Sequence, residues 1–330
     1  INLFQELWET LSNIDGFIGF MNTPILKAKK GVHQMLFYND GEYNSWKNDN
    51  DTNGWKIKYY KGLGTSTGNE FKEYFANKKI VNFTFNGQTS SNSIDKVFNK
   101  KRADDRKDWL RQYDREAILD IKSGNTSYEK FVHLELSHFS KYDCDRSIPN
   151  LVDGNKFSTR KVLYAAFKRN LVKEIKVAQF SGYVSEHTCY HHGENSLNGA
   201  IIGMAAEYVG NNNISLLVPK GQFGTRLRGG DDHASERYIF TNLNSITRSI
   251  FPESDTDVLT YLYDDGTKVE PEYFVPIIPM ICANGGKGIG TGFSCDIPSF
   301  NTAQIIKYLE HKIKQNPMPH PTIDVYYEDF

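Results

Sequence analysis

Residues 219–243, Pro-Lys-Gly-Gln-Phe-Gly-Thr-Arg-Leu-Arg-Gly-Gly-Asp-Asp-His-Ala-Ser-Glu-Arg-Tyr-Ile-Phe-Thr-Asn-Leu, constrain this chain more than any other stretch. Glycines at 221, 224, 229 and 230 make a flexible loop that lets backbone approach a ligand closely. The loop carries Arg226 and Arg228, whose guanidinium forks suit phosphate. It runs into an apolar-alternating segment that predicts a strand over Arg237–Thr241. A tyrosine held on a strand beside an arginine is what attack of a phenol oxygen on a phosphodiester requires. By itself the Arg237-Tyr238 pair is better read as a half-buried strand aromatic and its neighbour, because most tyrosines serve packing.

The elements around the loop suggest its setting. Ser158–Asn170 has the spacing of an amphipathic helix with Ser158 as N-cap, and Glu194–Val209 reads as a second helix. Strands expected at Ser215–Val218 and Arg237–Thr241 flank the glycine loop. Two helices followed by a hairpin fit a helix-turn-helix with a β wing. Between 156 and 176 seven basic residues face one acid, Glu174, a local net charge of +6 in a chain whose formal net charge is −1. That density beside the loop points to a polyanion, while the overall balance excludes a basic nucleic-acid coat.

Upstream, residues 2–12 predict a helix, 34–38 and 55–60 strands, and 68–78 a helix, an order that suggests the tail of an α/β domain. Residues 80–140 mix polar loops with a charged helical stretch and read as a connector. Downstream, 269–282 and 293–297 read as short strands broken by proline and glycine. The 330 residues suffice for two or three domains. Cys144, Cys189, Cys282 and Cys295 show no CxxC spacing, which suits a reducing compartment. Neither a signal peptide nor a membrane-spanning run is evident. Starting at Ile1 and ending in a strand-like run at Phe330, the sequence reads as a piece of something longer.

Three motifs look like sites and are not read as such. Asp49-Asn-Asp-Thr-Asn-Gly54 begins like a calcium loop, but Tyr60 stands where the closing glutamate belongs, so a hairpin loop is expected. Gly288-Ile-Gly-Thr-Gly292 and the glycines at 62 and 64 lack nucleotide-loop spacing and read as tight turns. Glu186, His187, Cys189, His191 and His192 lack the second, well-spaced ligand pair that zinc needs, and His192 is better suited to donate to a phosphate oxygen.

Ten segments, in this order, closely resemble eukaryotic-type DNA topoisomerase II, a type IIA enzyme. They are Tyr59-Tyr-Lys-Gly-Leu-Gly-Thr-Ser-Thr67, Arg146-Ser-Ile-Pro-Asn150, Val152-Asp-Gly154, Lys176-Val-Ala-Gln179, Gly182-Tyr-Val-Ser-Glu-His-Thr188, Tyr190-His-His-Gly-Glu194, Gly221–Leu227, Arg237-Tyr-Ile-Phe-Thr241, Tyr261-Leu-Tyr-Asp-Asp265 and Gly288–Gly292. The resemblance covers nearly the whole chain. It implies an α/β and α+β multidomain arrangement: the end of a TOPRIM domain (1–80), a linker (81–141), a winged-helix DNA-cleavage domain (142–265) and the start of a tower β-domain (266–330).

Carried onto this sequence, the resemblance makes Tyr238 the nucleophile that becomes linked to the 5′ end of a broken strand. Arg237, Arg146 and His192 are then the groups that steady the phosphate as charge builds on phosphorus. A neutral phenol is a weak nucleophile, so these groups and a metal must ease its deprotonation. Lys156, Arg160, Lys161 and Arg226 are expected to face DNA, the first three against its backbone, and Ile289 to wedge between base pairs. The family also implies Mg²⁺ held by carboxylates upstream of Ile1, ATP bound by an upstream domain, double-stranded DNA as partner, and a homodimer with no membrane attachment. Nucleus or a cytoplasmic viral factory are the implied compartments.

Some positions depart from the family pattern. Glu236 replaces a common proline before Arg-Tyr, Lys287 a usual glutamate, and Asn195 the methionine or glutamine of vertebrate enzymes. Together they suggest a protist or large-DNA-virus lineage. The competing reading is a non-catalytic winged-helix architectural protein, which has no need to keep Tyr238, Arg237, Arg146 and His192 together.

Overall fold

The computed structural model describes every residue except Lys61, Glu116 and Asp265, and of Leu63 only the backbone. Lys61 and Asp265, which belong to two of the family-like segments, thus lie outside the described residues. The chain divides into two units, Ile1–Tyr142 and Asp143–Phe330.

The first unit opens with a helix that the sequence predicts as one piece and the structure breaks in two. α1 (Asn2–Leu7) stops at Trp8, whose φ of −144° is not helical, and α2 (Glu9–Ser12) follows. β1 (Gly19–Asn22), β2 (Leu26–Lys30) and β3 (His33–Phe37) precede α3 (Asp40–Asp49) and β4 (Lys56–Tyr59). α3 corrects the expectation of a hairpin loop. Asn39 accepts the Glu42 N–H at 2.8 Å and starts a helix, so β3 and β4 never pair and instead flank β2 in a sheet ordered β3-β2-β4. Leu26, Ala28, Phe37 and Trp46 form the core under that sheet.

α4 (Gly68–Ala76) begins with a capping box in which Thr67 and Glu70 satisfy each other's backbone N–H groups. Glu70 also gathers Tyr60 Oη at 2.6 Å, Lys58 Nζ at 2.8 Å and Lys27 Nζ at 3.5 Å. Burial pushes its carboxyl up, but the hydrogen bonds from Lys58, the Thr67 N–H, Tyr60 and the Thr67 hydroxyl outweigh it and hold the carboxyl well below the usual carboxylate range. The expected connector is also folded. β5 (Lys79–Thr84) joins β1 and β6 (Asn125–Ser127) in a second sheet, with α5 (Gln88–Phe98) and α6 (Ala103–Arg111) between them. Phe83, Ile94 and Tyr128 are its core, with the Phe83 and Tyr128 rings stacked at 4.8 Å. α7 (Tyr128–Phe131) continues through a wider π turn (Val132–Leu136) into α8 (Ser137–Ser147).

The second unit is built on α9 (Phe157–Arg169), β7 (Ile175–Lys176), α10 (Val177–Thr188), α11 (Glu194–Ala205), β8 (Leu217–Lys220) and β9 (Phe240–Leu243). α9 starts one residue before the predicted cap: Lys156 is the N-cap residue and its N–H donates to Thr159 Oγ1 at 2.9 Å, leaving Ser158 inside the first turn. The three strands pair antiparallel as β7-β9-β8, a small wing against the helices. Leu163, Phe180, Leu197, Ile201, Leu217 and Ile239 fill the core between them. After α12 (Thr247–Ile250) come the hairpin β10 (Tyr261–Asp264) and β11 (Thr267–Pro271), then α13 (Met280–Ala283), the hairpin β12 (Gly286–Gly290) and β13 (Phe293–Ile297), and α14 (Thr302–Ile313). Among the described residues, no helix is long and apolar enough to cross a membrane.

Candidate active site

Tyr238 sits between two anchors. The Tyr238 N–H donates to the Ser235 carbonyl at 2.9 Å, closing a turn, so the strand begins at Phe240 and not at the predicted Arg237. On one side Glu236 accepts the Ala178 N–H at 3.1 Å; on the other, the Ile239 carbonyl accepts the Val177 N–H at 3.0 Å. Ile239 itself is buried, and Gly221, at φ 120°, closes on it: a Cβ there would come within 2.7 Å of Ile239 Cγ2. Tyr238, by contrast, is 72% exposed, and its hydroxyl has no hydrogen-bond partner among the described residues. An exposed phenol on a backbone pinned at both ends contributes little to packing and is open to a ligand. Arg237 is exposed beside it, its guanidinium carbon 5.9 Å from the Tyr238 ring centroid.

A second cluster gathers Arg146 and His192. Arg146 lies in the last turn of α8, and His192 in the loop from α10 to α11, edge-on to Tyr190 at 5.3 Å and to Phe157 at 6.5 Å. Burial holds His192 below its ordinary value of 6.5, and the positive charges of Arg146, then His191 and Lys161, press the same way. His192 is therefore neutral at neutral pH, a hydrogen-bond donor that adds no second cation beside Arg146. The preceding residue, His191, is fixed by Asp264 at 2.7 Å.

The two clusters attach at opposite ends of α10. Tyr238 is tied to the first residues of α10, whereas His192 follows its last. The helix between these two attachment points has twelve residues and is about 18 Å long.

Two of the expected DNA contacts turn inward instead. Arg160, 7% exposed, makes a two-pronged ion pair with Asp153, Nε to Oδ2 at 2.7 Å and Nη2 to Oδ1 at 3.0 Å. Lys161, 2% exposed, donates to Glu270 at 2.8 Å and to the Thr188 carbonyl. Their charges are used inside the fold, which corrects the reading of both as residues facing a phosphate backbone. Lys156 is half-buried at the head of α9, and Arg226 is exposed in the glycine loop, its guanidinium 4.9 Å above the Phe330 ring.

The Gly288–Gly292 segment is a strand and its turn. Strand alternation puts Gly286, Gly288 and Gly290 on one face, where added Cβ atoms would strike Pro149, the Ser147 carbonyl and Cys144. The hairpin thus lies flat on the segment that carries Arg146. Asp143 accepts from Thr291 Oγ1 at 3.0 Å, and Cys144 Sγ donates to the Thr291 carbonyl at 3.4 Å. The opposite face presents Lys287 and Ile289, the latter 75% exposed. We expect Gly288→Ala to cost about 1–3 kcal/mol in thermal unfolding, because the new methyl has nowhere to go. Ile289→Ala should leave the melting temperature unchanged and reduce DNA bending in an end-to-end energy-transfer assay.

Among the described residues, no group of three or more His, Cys, Asp or Glu could hold a metal ion.

Comparison with known proteins accounts for this arrangement. Residues 146–327 match the DNA gyrase/topoisomerase IV family, in its gyrase A-type part, and residues 21–144 match the C-terminal associated domain of TOPRIM. DNA topoisomerase 2 of Plasmodium falciparum is 48% identical over 100% of this chain and 24% of its own length. Its counterpart in Arabidopsis thaliana is 46% identical over 100% of this chain and 23% of its own length. The chain thus spans about a quarter of the curated relatives it matches. A crystal structure of the DNA-binding, cleavage and re-ligation domain of P. falciparum topoisomerase II superimposes with a TM-score of 0.86 at 48% identity, covering 99% of this chain and 45% of that one. On the extent of these matches, the chain belongs to the type II DNA topoisomerase family.

Proposed function

We propose that this chain carries the cleavage centre of an ATP-dependent, double-strand-passing DNA topoisomerase. The observation that carries the reading is the exposed Tyr238 held on backbone anchored at Ile239 and Glu236, in the same unit as the Arg146–His192 cluster. The Tyr238 oxygen forms a bond to a backbone phosphorus as the bond from phosphorus to the 3′ oxygen breaks. The phenolic proton leaves the tyrosine, and the 3′ oxygen departs as a hydroxyl. One phosphoester replaces another, so religation is the same step reversed and the chemistry needs no ATP. Arg237 neutralises the phosphate beside the tyrosine; Arg146 and His192 donate to its non-bridging oxygens.

The separation of about 18 Å along α10 supports a homodimer in which one protomer's Tyr238 works beside its partner's Arg146 and His192. Two such composite sites cut both strands. The proposal includes magnesium and ATP on the family resemblance alone, which implies that other parts of the full-length enzyme hold them.

The test uses the full-length protein with supercoiled plasmid and magnesium, stopped with detergent. Linear DNA with protein on its 5′ ends, and a nucleotide remnant mapped to Tyr238 by mass spectrometry, are the expected results. Tight binding with no adduct would favour the architectural reading.

The neutral state of His192 adds a pH prediction. Its folded-state pKa lies below 6.5, so the unfolded chain takes up this proton first and stability falls as pH drops below that value. Adduct formation should show an acid limb below pH 6.5, read from a cleavage–pH profile. Removing the Arg146 charge (Arg146→Gln) should move that limb upward as well as lower the plateau.

A further inference from the structure

The β3-β2-β4 sheet of the first unit has one apolar face, and on the other β2 and β4 contribute lysines while β3 contributes Leu36 and Gln34. Leu26, Ala28, Phe37 and Ile57 point to the Trp46 core. On the opposite face the register sets Lys27 directly against Lys58 and Lys29 directly against Lys56. Like charges directly opposed across an antiparallel pair are destabilising, and two such pairs in succession concentrate the penalty. The inner pair is neutralised from within, since Glu70 takes Lys27 at 3.5 Å and Lys58 at 2.8 Å. The outer pair has no such counterion: Lys29 and Lys56 are exposed, and neither has an acidic partner among the described residues. The nearby Lys30 is occupied by the Asn53 carbonyl at 2.9 Å, and Asp51 by the Asn53 N–H at 3.0 Å.

We infer that the open end of this face, Lys29 and Lys56 on adjacent strands, is a docking surface for the phosphate backbone of duplex DNA. Charge complementarity carries the choice of occupant. Two cations held a strand's width apart on rigid backbone, with no internal anion, are completed by a polyanion that bridges them. Duplex DNA supplies closely spaced phosphates without base contacts, which is all that lysines on a sheet face can engage. This face rests on the proposed function and adds to it a second DNA contact in a different unit.

The test compares full-length wild type with Lys29→Gln/Lys56→Gln on a long linear duplex, measuring affinity across a salt series. Losing two phosphate contacts should make the slope of log affinity against log salt shallower by about 1.8 and weaken binding roughly tenfold to thirtyfold near 0.15 M salt. The variant should melt no lower than wild type, because a like-charge opposition is removed. Lys29→Glu is a second variant, which sets an acid against Lys56 and should lower the slope by a similar amount while keeping the strand pair. An unchanged slope in both variants overturns the inference. So does an unchanged slope accompanied by lost binding of polyglutamate, which would assign the face to an acidic protein. Adduct formation at saturating DNA is read separately: wild type that shows the salt effect but forms no adduct defeats the cleavage proposal and leaves this surface standing.

Discussion

Replacing Tyr238 with phenylalanine should abolish the covalent protein–DNA complex while leaving the protein folded and bound to DNA. The exchange removes a single oxygen that has no hydrogen-bond partner among the described residues, on a side chain that is 72% exposed. Stability should therefore move by less than about 0.5 kcal/mol. Affinity for intact duplex should change by no more than about twofold, since the backbone anchors at Ser235, Glu236 and Ile239 do not involve the hydroxyl. The chemical step has no substitute nucleophile, and loss of a nucleophile costs roughly 10⁴-fold or more. Arg237→Ala should cost less, roughly 10² to 10³-fold, because it removes one charge donor and leaves the attacking oxygen in place. The measurements are single-turnover adduct formation, duplex affinity and thermal unfolding on the same preparations. Adducts persisting in Tyr238→Phe would mean that another tyrosine attacks.

The residue types proposed for the chemistry are more legible in the sequence than the placement of its charges. The glycine loop and Tyr238 stand out because glycine spacing and residue type are local properties. What the sequence misplaces is the strand start: the Ser235–Tyr238 turn depends on one backbone hydrogen bond that no side chain announces. Arg160 and Lys161 fail differently. Charge density near 156–176 suggests an outward face, but burial is decided by partners, and those partners are Asp153 and the distant Glu270. Helix α3 had a readable signal, Asn39 followed three residues later by Glu42, that a polar, asparagine-rich composition masked. The Gly-x-Gly-x-Gly pattern at 286–290 likewise has the period of a strand, and its meaning becomes clear once the Ser147–Pro149 segment lies against it. The lysine face follows only from register, because the sequence does not say which strands are neighbours.

Lys161→Met should be the most destabilising single substitution among the basic residues of the second unit. Lys161 and Glu270 are each about 2% exposed at the side chain and 2.8 Å apart, joining α9 to β11. Deleting the lysine leaves a carboxylate buried with no counterion and the Thr188 carbonyl short of a donor, a loss of about 3–5 kcal/mol. Burial already pushes the Glu270 carboxyl above its ordinary 4.5 with the lysine in place, and the variant removes the charge that opposes this. Glu270 will then hold a proton in the folded state that the unfolded chain has released. The deficit against wild type should accordingly be smallest in acid and grow as pH rises from about 4.5 through the raised pKa, the sign expected for an acid whose folded value is elevated. Chemical denaturation across pH measures this directly. The double variant Lys161→Met/Glu270→Leu should recover most of the loss, because a well-packed apolar pair avoids the desolvation that the lone carboxylate suffers. A double variant as unstable as the single one would show that packing volume is the cause. The same pair reaches the active site: Lys161 is one of the charges that keep His192 neutral, so the double variant should also shift the acid limb of cleavage upward. A residue expected to touch DNA would then act on the reaction from the core, through the protonation state of the histidine above it.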